Sequence, residues 1–303
     1  MDVRHLQLLR ELSERGSVTA VAEATHRTVS AVSQQLRTAE RSAGIRLVEP
    51  DGRGIRLTEA GRLLATGAVE VEAAIARVQA SLDAYRNAPG GQVSIAAFPS
   101  AATLLFPAVV HAAEREGIEL RLADFDLAEA QFADLTADYD IVIGHSLTSP
   151  RPLGTSNLTV VKLAAEPLDV AMRSSHPLAS HRSLRARDLA DARWVGVPEG
   201  YPFDVVLTNI ANRLGRDVHV TQRLRDNRVI EALIVNRDLV AILPRFTTRT
   251  REGLVLRELT DVPATRYVSA IMRPDRAERR AVGKVLNTLC EAASAEVAIA
   301  GSR

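Results

Sequence analysis

One short segment of the chain carries an unusual set of polar side chains at helical spacing. Residues 28–41 read TVSAVSQQLRTAER, without glycine or proline. In a helix, one face would carry hydroxyl, amide and guanidinium groups, from Ser30, Ser33, Gln34, Arg37 and Arg41. Such groups form hydrogen bonds with base edges and phosphate oxygens, whereas an ordinary exposed helix is usually rich in Glu and Lys. This face therefore predicts a contact with nucleic acid.

The surrounding sequence predicts a small helical domain that positions this face. Candidate N-caps stand before three helices, at Asp2, Ser17 and Thr28. A turn is expected at His26 and Arg27, between the second helix and the third. On the opposite face of the third helix, apolar residues recur every three or four positions and predict a core: Val32, Leu36, Ala39 and Ala43.

A β-hairpin is predicted from the sequence IRLVEPDGRGIRLTEAG, residues 45–61. Apolar residues alternate with polar ones on both sides of a Pro-Asp-Gly break, with Ile45 and Leu47 before it. Arg53 stands at the tip, and Arg46 and Arg56 on the arms. These arginines are candidates for contact with a nucleic-acid backbone or minor groove, and each also fits a solvated turn.

A long helix is predicted from the cap at Thr58 to about Asn87. Its apolar residues form a heptad seam over three repeats: Leu64, Ala68, Val71, Ile75, Val78, Leu82 and Tyr85. No segment of similar length lies nearby in the sequence, so the seam predicts a homodimer. The alternative is that the seam packs onto the C-terminal domain of its own chain.

Beyond a linker at residues 87–92, the pattern changes to strands alternating with helices. This alternation predicts α/β architecture, and about 210 residues are many for a single sheet, so two lobes are expected. The net charge of +1 provides little long-range attraction for DNA. The single cysteine, Cys290, excludes an internal disulfide, and neither a signal segment nor a long uncharged apolar run is present. We expect a cytoplasmic protein that does not enter a membrane.

Residues 17–62 resemble the winged helix-turn-helix of LysR-type transcriptional regulators. The resemblance lies in the AVSQQLR run, the R-L-V-E arm and the L-T-E-A-G closure, with SSHPLAS at 174–180 and LVAILPR at 239–245 further along. It implies a DNA-binding domain over 1–60, a dimerisation helix over 58–88 and an effector domain over 92–303. The effector domain would resemble a periplasmic binding protein, with lobe one at 93–161 and 268–300 and lobe two at 163–265.

The resemblance also implies partners and DNA-reading residues. The partners are double-stranded DNA, a small-molecule effector, a second copy or three further copies of the chain, and RNA polymerase; no cofactor or metal is expected. The positions that match the family's DNA contacts are Thr28, Val29, Ser30, Ser33, Gln34 and Arg37. Val29 and Ser30 replace a common glutamine and a common proline, and valine suits a thymine methyl group rather than adenine.

Effector-binding candidates lie at a helix start and after strands. Ser100 and Ala101 open a helix, where Ser100 matches a family position that receives a ligand carboxylate, and simple capping would look the same. The other cleft candidates are Asp126, His145, Glu199, Phe203, Asn227 and Arg228. His145 could pair with an anion, sense pH, or be a surface histidine without such a role. Asp126 and Glu199 would instead suit an amine, so the charge of the ligand stays open.

Two other classes of protein fit the pattern less well, an enzyme and a solute-binding module. An enzyme is not expected, since the sequence has no G-x-S-x-G, H-E-x-x-H, P-loop or G-x-G-x-x-G motif. A solute-binding module without a DNA-binding role would account for the two lobes. Such a module would have no use for a helix pair, a polar reading face and an arginine-tipped hairpin in succession.

Overall fold

The N-terminal part of the computed structural model is a helical domain with a β-hairpin. The structure describes residues 1–52, 54–86, 91–248 and 253–301. In chain order the N-terminal elements are α1 (Val3–Arg15), α2 (Val18–Ala24), α3 (Val29–Ala43), β1 (Val48–Asp51), β2 (Gly54–Leu57) and α4 (Glu59–Tyr85). The side chains that accept a first-turn backbone N–H are Asp2, Ser17, Thr28 and Thr58. All four predicted caps are therefore confirmed.

The third helix is divided into two faces, as the sequence predicts. Val32, Leu36 and Ala39 are buried in a core shared with α1 and α2. The chain enters α3 through a turn in which His26 adopts a left-handed backbone conformation, with φ of 52°. This core holds the polar face of α3 outward.

The hairpin begins later than the alternation of Ile45 and Leu47 predicts. Ile45 is 56% exposed, and the first strand starts only at Val48. The backbone N–H of Leu47 donates to the Glu40 carboxylate, and its carbonyl accepts from the N–H of Thr58. Leu47 is therefore held by the ends of the two flanking helices.

The start of α4 packs so closely against Leu47 that only glycine fits. A Cβ added at Gly61 would lie 2.2 Å from the carbonyl oxygen of Leu47. A Cβ at Gly67, about two turns further along the same helix, would meet no atom within 4 Å. The two glycines therefore have different structural roles.

Alanine substitutions at these glycines are expected to have opposite effects on stability. Gly61→Ala forces the backbone apart and should lower the free energy of unfolding by about 1–3 kcal/mol. Gly67→Ala removes only the unfavourable helix propensity of glycine and should raise the free energy of unfolding by about 0.5–1 kcal/mol. Urea denaturation measures both, and equal effects of the two substitutions would contradict the close approach at Gly61.

The two halves of the predicted seam of α4 differ in how far they are buried within the chain. Its N-terminal part packs within the chain, where Ala68 is fully buried and Leu64 lies against the N-terminal core. Its C-terminal part is open, and Val78 and Tyr85 are 72% and 87% exposed. Packing within the chain thus covers one half of the seam and leaves the other half without a partner among the described residues.

The C-terminal part contains ten strands among the residues described. The strands are β3 (Gly91–Ala97), β4 (Ile118–Asp124), β5 (Ile141–Ser146), β6 (Thr159–Arg173), β7 (Ser183–Leu184), β8 (Arg193–Gly196), β9 (His219–Arg223), β10 (Val240–Pro244), β11 (Leu254–Leu259) and β12 (Thr265–Met272). The helices are α5 (Pro99–Glu116), α6 (Pro202–Leu214), α7 (Asn227–Asn236), α8 (Pro274–Ala277) and α9 (Arg280–Gly301). The strand order is β4-β3-β5-β12-β6-β10-β8-β9, and β11 pairs with β6 and β7.

Two hydrophobic cores confirm the predicted two-lobed α/β architecture. One core lies under β3, β5, α5 and α9, and the other lies around β8, β10, α6 and α7. The strand β6 runs through both lobes, pairing with β12 up to Pro167 and with β10 from Leu168.

The chain first passes from lobe one to lobe two later than residue 163, where lobe two was predicted to begin. Leu163 and Ala164 pack in the first core. The strand β6 continues unbroken past residue 163, and it changes its pairing partner from β12 to β10 between Pro167 and Leu168. The short strand β7 and the strand β11 were not predicted.

Candidate nucleic-acid interface and ligand cavity

The predicted reading residues lie together on the outward side of α3. Ser33 is partly buried, and the exposed members of the set are Thr28, Val29, Ser30, Gln34 and Arg37. Within the described parts of the chain, the side chains of Gln34 and Arg37 form no hydrogen bond. The amide and the guanidinium group are therefore available to an outside partner.

Gln35, next to these residues, has an internal role that the sequence did not indicate. Its side-chain amide donates to the carbonyl of Arg4 at 2.6 Å and accepts from the Arg27 guanidinium at 2.5 Å. These bonds join the start of α1, the turn before α3 and α3 itself. Gln35 therefore fixes the orientation of the reading helix.

The hairpin arginines have different surroundings. Arg53, the predicted tip residue, lies outside the described residues. Arg56 forms an ion pair with Glu49 across the hairpin at 3.0 Å, and Arg46 is exposed. The Arg56 charge is thus partly compensated within the hairpin.

A cavity of about 630 Å³ lies between the two lobes of the C-terminal part. Six of the eight predicted effector residues line it: Ser100, Asp126, His145, Phe203, Asn227 and Arg228. The lining residues that the sequence did not indicate include Arg266, Arg225, Glu231 and Thr247. The helix start at Ser100 and most of the residues predicted after strands therefore lie around one cavity.

Two of the predicted effector residues lie elsewhere. Ala101 is 3% exposed and packs in the first hydrophobic core, because it is turned inward on α5 while its neighbour Ser100 faces the cavity. The Glu199 side chain is 81% exposed and lies 3.6 Å from Arg223, on the outer surface. Neither side chain reaches the cavity, so these two assignments are corrected.

Three helices begin at the cavity, and α5 differs from the other two. The helix α7 is capped by Asp226, and α6 carries Asp204 in its first turn. The helix α5 has neither a capping side chain nor an acidic residue in its first turn. Because the first N–H groups of a helix have no partner within it, the start of α5 is suited to an anion.

Arg266 connects the start of α5 with the opposite lobe. Its guanidinium forms a buried ion pair with Glu166 and lies 3.3 Å from the Ser100 hydroxyl oxygen. It also lies over the rings of Phe98, at 4.8 Å, and Phe203, at 5.5 Å, which belong to the first and second core. A ligand oxygen at Ser100 would meet a hydroxyl, the helix start and a guanidinium edge.

His145 lies at the cavity wall as an uncharged ring. It packs edge to face against Phe98 and Phe132, with centroids 4.7 and 5.1 Å away. Burial, with a smaller effect from the Arg266 charge, lowers the pKa of His145 to about 3. The pH-sensing interpretation is not supported, because the ring is neutral at physiological pH, whereas the contact of His145 with an anionic effector stays a prediction.

Carboxylates also line the cavity. They are Asp124, Asp126, Asp226 and Glu231. Partial burial raises the pKa of Asp126 above its ordinary value of 3.8. The cavity wall thus offers both hydrogen-bond donors, such as Ser100 and Arg266, and carboxylate acceptors.

The described residues contain neither a candidate metal site nor a helix that could span a membrane. No group of three or more His, Cys, Asp or Glu side chains is arranged to hold a metal ion. None of the described helices combines the length and the hydropathy needed to cross a bilayer.

Comparison with known families matches both parts of the chain. Residues 3–62 match the model of the bacterial regulatory helix-turn-helix protein, lysR family, and residues 86–294 match the LysR substrate binding domain. The chain is 26% identical over 281 residues to the transcriptional dual regulator GltC of Bacillus subtilis, covering 92% of each protein.

Solved structures share the fold along nearly the whole chain. A cysteine-to-aspartate variant of full-length OxyR from Pseudomonas aeruginosa superposes with a TM-score of 0.64 at 18% identity, covering 95% of this chain and 94% of that one. Full-length CbnR complexed with its target DNA gives a TM-score of 0.53 at 19% identity, covering 97% and 100%.

Proposed function

Because the chain belongs to the LysR family of bacterial transcriptional regulators, we propose that it binds a two-fold repeated operator and responds to a small organic acid. It is a DNA-binding transcriptional regulator with an effector-binding domain, in a family whose members are not enzymes. A solute-binding module without a DNA-binding role is excluded, since the relatives are regulators.

The observation that carries the proposal is the free polar face of α3. Gln34 and Arg37 point outward with unused donors, and Val29 lies beside them. In the major groove, a guanidinium suits guanine, an amide suits adenine and a valine suits the thymine methyl group. Ser33 and the hydroxyls of Thr28 and Ser30 supply contacts to bases or phosphates, and Arg53 supplies a contact of the hairpin to the DNA backbone.

We place the acid group of the effector at the start of α5. The Ser100 hydroxyl, the unpaired N–H groups of the first turn and Arg266 all offer hydrogen-bond donors there. Asn227 and Arg228 would bind the ligand from lobe two, and Phe203 would supply an apolar wall. His145 contributes a neutral ring, and Asp126 would favour a ligand hydroxyl or amine at the far end.

The assembly that fits this function is a homodimer, or a homotetramer made of two dimers. Two copies of α3 can then enter successive major grooves of one face of the DNA. The domain bounds remain those expected from the sequence, with 1–60 for DNA binding and 58–88 for dimerisation. We place the regulator in the cytoplasm, where bacterial DNA lies, with RNA polymerase as a further partner.

One titration tests both halves of the proposal. The operator is first selected from a random DNA library, and its affinity is measured by fluorescence anisotropy with and without acids identified by thermal shift. Arg37→Ala should weaken operator binding by about 1–3 kcal/mol and retain the thermal shift. Ser100→Trp should retain basal operator binding and lose the response to acid, because the indole would fill the start of α5.

The two variants serve as controls for each other. Unchanged operator affinity of Arg37→Ala would contradict the reading face, whereas a retained acid response of Ser100→Trp would contradict the effector site. A variant that loses both properties would be misfolded, and circular dichroism identifies that case. Thr103→Ala, at the cavity wall near Ser100, then replaces Ser100→Trp in the same titration.

A further inference from the structure

A buried group of charges joins the DNA-binding domain to the effector domain of the same chain. We call it the docking cluster, and it consists of Arg10, Glu11 and Glu14 on α1, Glu72 on α4, and Arg273 and Asp275 at the start of α8. Arg10, Glu72 and Arg273 are each less than a tenth exposed. Charges are expensive to bury, so their presence between two domains calls for a reason beyond stability.

Arg273 is the member of the cluster through which the effector domain contacts the DNA-binding domain. Its guanidinium lies 3.5 Å from the carboxylate of Glu14, 3.8 Å from that of Glu11 and 3.5 Å from that of Glu72. Arg10 of the DNA-binding domain pairs with Glu72 of the dimerisation helix at 2.8 Å. Each guanidinium thus bridges α1 and α4, and Arg273 adds the effector domain.

A second contact holds the C-terminal end of α1 against the first lobe. Arg15 donates to the Asp138 carboxylate at 3.0 Å and to the carbonyl of Ala137 at 3.2 Å. The α1 helix is therefore held through Glu11, Glu14 and Arg15, which lie within about one turn of its C-terminal end. Contacts to both Arg273 and Asp138 restrict its orientation more than one flexible ion pair would.

One strand connects the docking cluster to the ligand cavity. Arg273 directly follows the last residue of β12, and Arg266 is the second residue of that strand. Arg273 lies seven positions after Arg266 along extended chain, which corresponds to about 23 Å. The strand lies between β5 and β6, and its residues from Val268 to Met272 are buried.

We propose that the docking cluster is an intramolecular lock, in which Arg273 holds the DNA-binding domain in a fixed orientation on its own effector domain. Release of Arg273 frees the domain that carries α3 to change its angle. The lock stands independently of the proposed effector, since it rests only on contacts between the two domains.

The charges around Glu14 make this lock sensitive to pH. The groups that face it are Arg10, Glu11 and Arg15 on its own helix, Glu72 on α4, Arg273 and Asp275 at α8, and Asp134 beside the second contact. Burial, together with the Glu11 and Asp275 charges, raises the pKa of Glu14 from its ordinary 4.5 to about 7, against the opposing effects of Arg10 and Arg15. Below about pH 7, docked Glu14 is therefore mostly protonated, and above it Glu14 is mostly a carboxylate.

The sign of the pH effect follows from this difference. A carboxyl with a raised pKa in the docked state binds protons more tightly there, so low pH favours docking. The contribution is lost as the pH rises from about 4.5 towards about 7. Between about pH 5.5 and 7.5, the ratio of docked to released chains should therefore fall.

Carboxyl footprinting of the full-length protein tests the lock directly. Carbodiimide labelling, read by mass spectrometry, reports how accessible Glu14 and Glu72 are. Arg273→Met should raise their labelling several-fold, and Arg273→Lys should restore most of the protection because it retains the charge. The matched control is Arg276→Met, three residues along, whose guanidinium pairs with Asp140 and Asp275 instead of α1.

Small-angle X-ray scattering supplies the second measurement. The radius of gyration of the unmodified protein should increase from about pH 5.5 to about pH 7.5. That of Glu14→Gln should increase less, because an amide does not titrate and only Glu72, whose pKa burial also raises, still responds. Equal labelling of Arg273→Met and Arg276→Met would overturn the lock. An identical pH response of the unmodified protein and Glu14→Gln would overturn its pH dependence.

Discussion

Replacing Arg266 by methionine should lower the free energy of unfolding of the effector domain by about 3–5 kcal/mol. The reason is Glu166, which is 2% exposed and would keep its charge without a cation. Its other carboxylate oxygen accepts the backbone N–H of Phe246, so the group cannot turn towards solvent without losing that bond. Thermal and urea denaturation measure the loss.

The double variant isolates the charge effect from the packing effect. Adding Glu166→Gln to Arg266→Met removes the uncompensated charge and keeps an acceptor for Phe246. Most of the lost stability should return, because methionine still fills the space between the two aromatic rings. If the double variant is as unstable as the single one, then packing rather than charge accounts for the loss.

An exposed ion pair provides the matched comparison. Arg216 and Asp191 are 2.8 Å apart, but their side chains are 55% and 94% exposed. Replacing Arg216 by methionine should cost less than about 1 kcal/mol, because solvent already screens this pair. If Arg216→Met lowers the free energy of unfolding as much as Arg266→Met does, then burial is not what makes the Arg266–Glu166 pair important.

Local features of the fold could be predicted from the sequence because their causes lie within a few residues. Caps such as Thr28 depend on a side chain and the N–H three residues later. The inward face of α3 depends on helical spacing alone. The reading face was recognised for the same reason, since it is the other side of the same helix.

Features that depend on strand pairing could not be predicted in this way. Arg266 and Glu166 are separated by 100 residues, and only the register of β12 against β6 places them side by side. Without that register, Arg266 could not be assigned to the cavity wall. The pairing of β11 with β6 was likewise not apparent from the local pattern.

Predictions about single side chains at the cavity failed where the direction of a residue mattered. Ser100 and Ala101 are adjacent at a helix start, and about 100° of rotation sends the first to the cavity and the second to the core. His145 follows a buried strand, as expected for a cleft residue. Its neutral state, however, results from two aromatic rings brought in from elsewhere in the chain.

Introducing a charge at Val78 should split the regulator into monomers. The apolar side chains that α4 exposes along its C-terminal half are Ile75, Val78, Leu82 and Tyr85. Two such seams buried against each other would place Val78 in a nonpolar contact in both copies. Val78→Glu should therefore raise the dimer dissociation constant at least about 100-fold, since an unpaired carboxylate is costly to bury.

The control for this substitution lies on the same helix. Leu63 is 73% exposed, almost the same fraction as Val78, but it lies off the heptad seam. Leu63→Glu introduces the same charge in place of a similar apolar side chain and should leave the mass of the dimer unchanged. Sedimentation velocity compares the two variants at micromolar concentration, and an intact Val78→Glu dimer would contradict the seam. Since operator binding by two copies of α3 requires the dimer, Val78→Glu should also lose operator affinity far more than Arg37→Ala does.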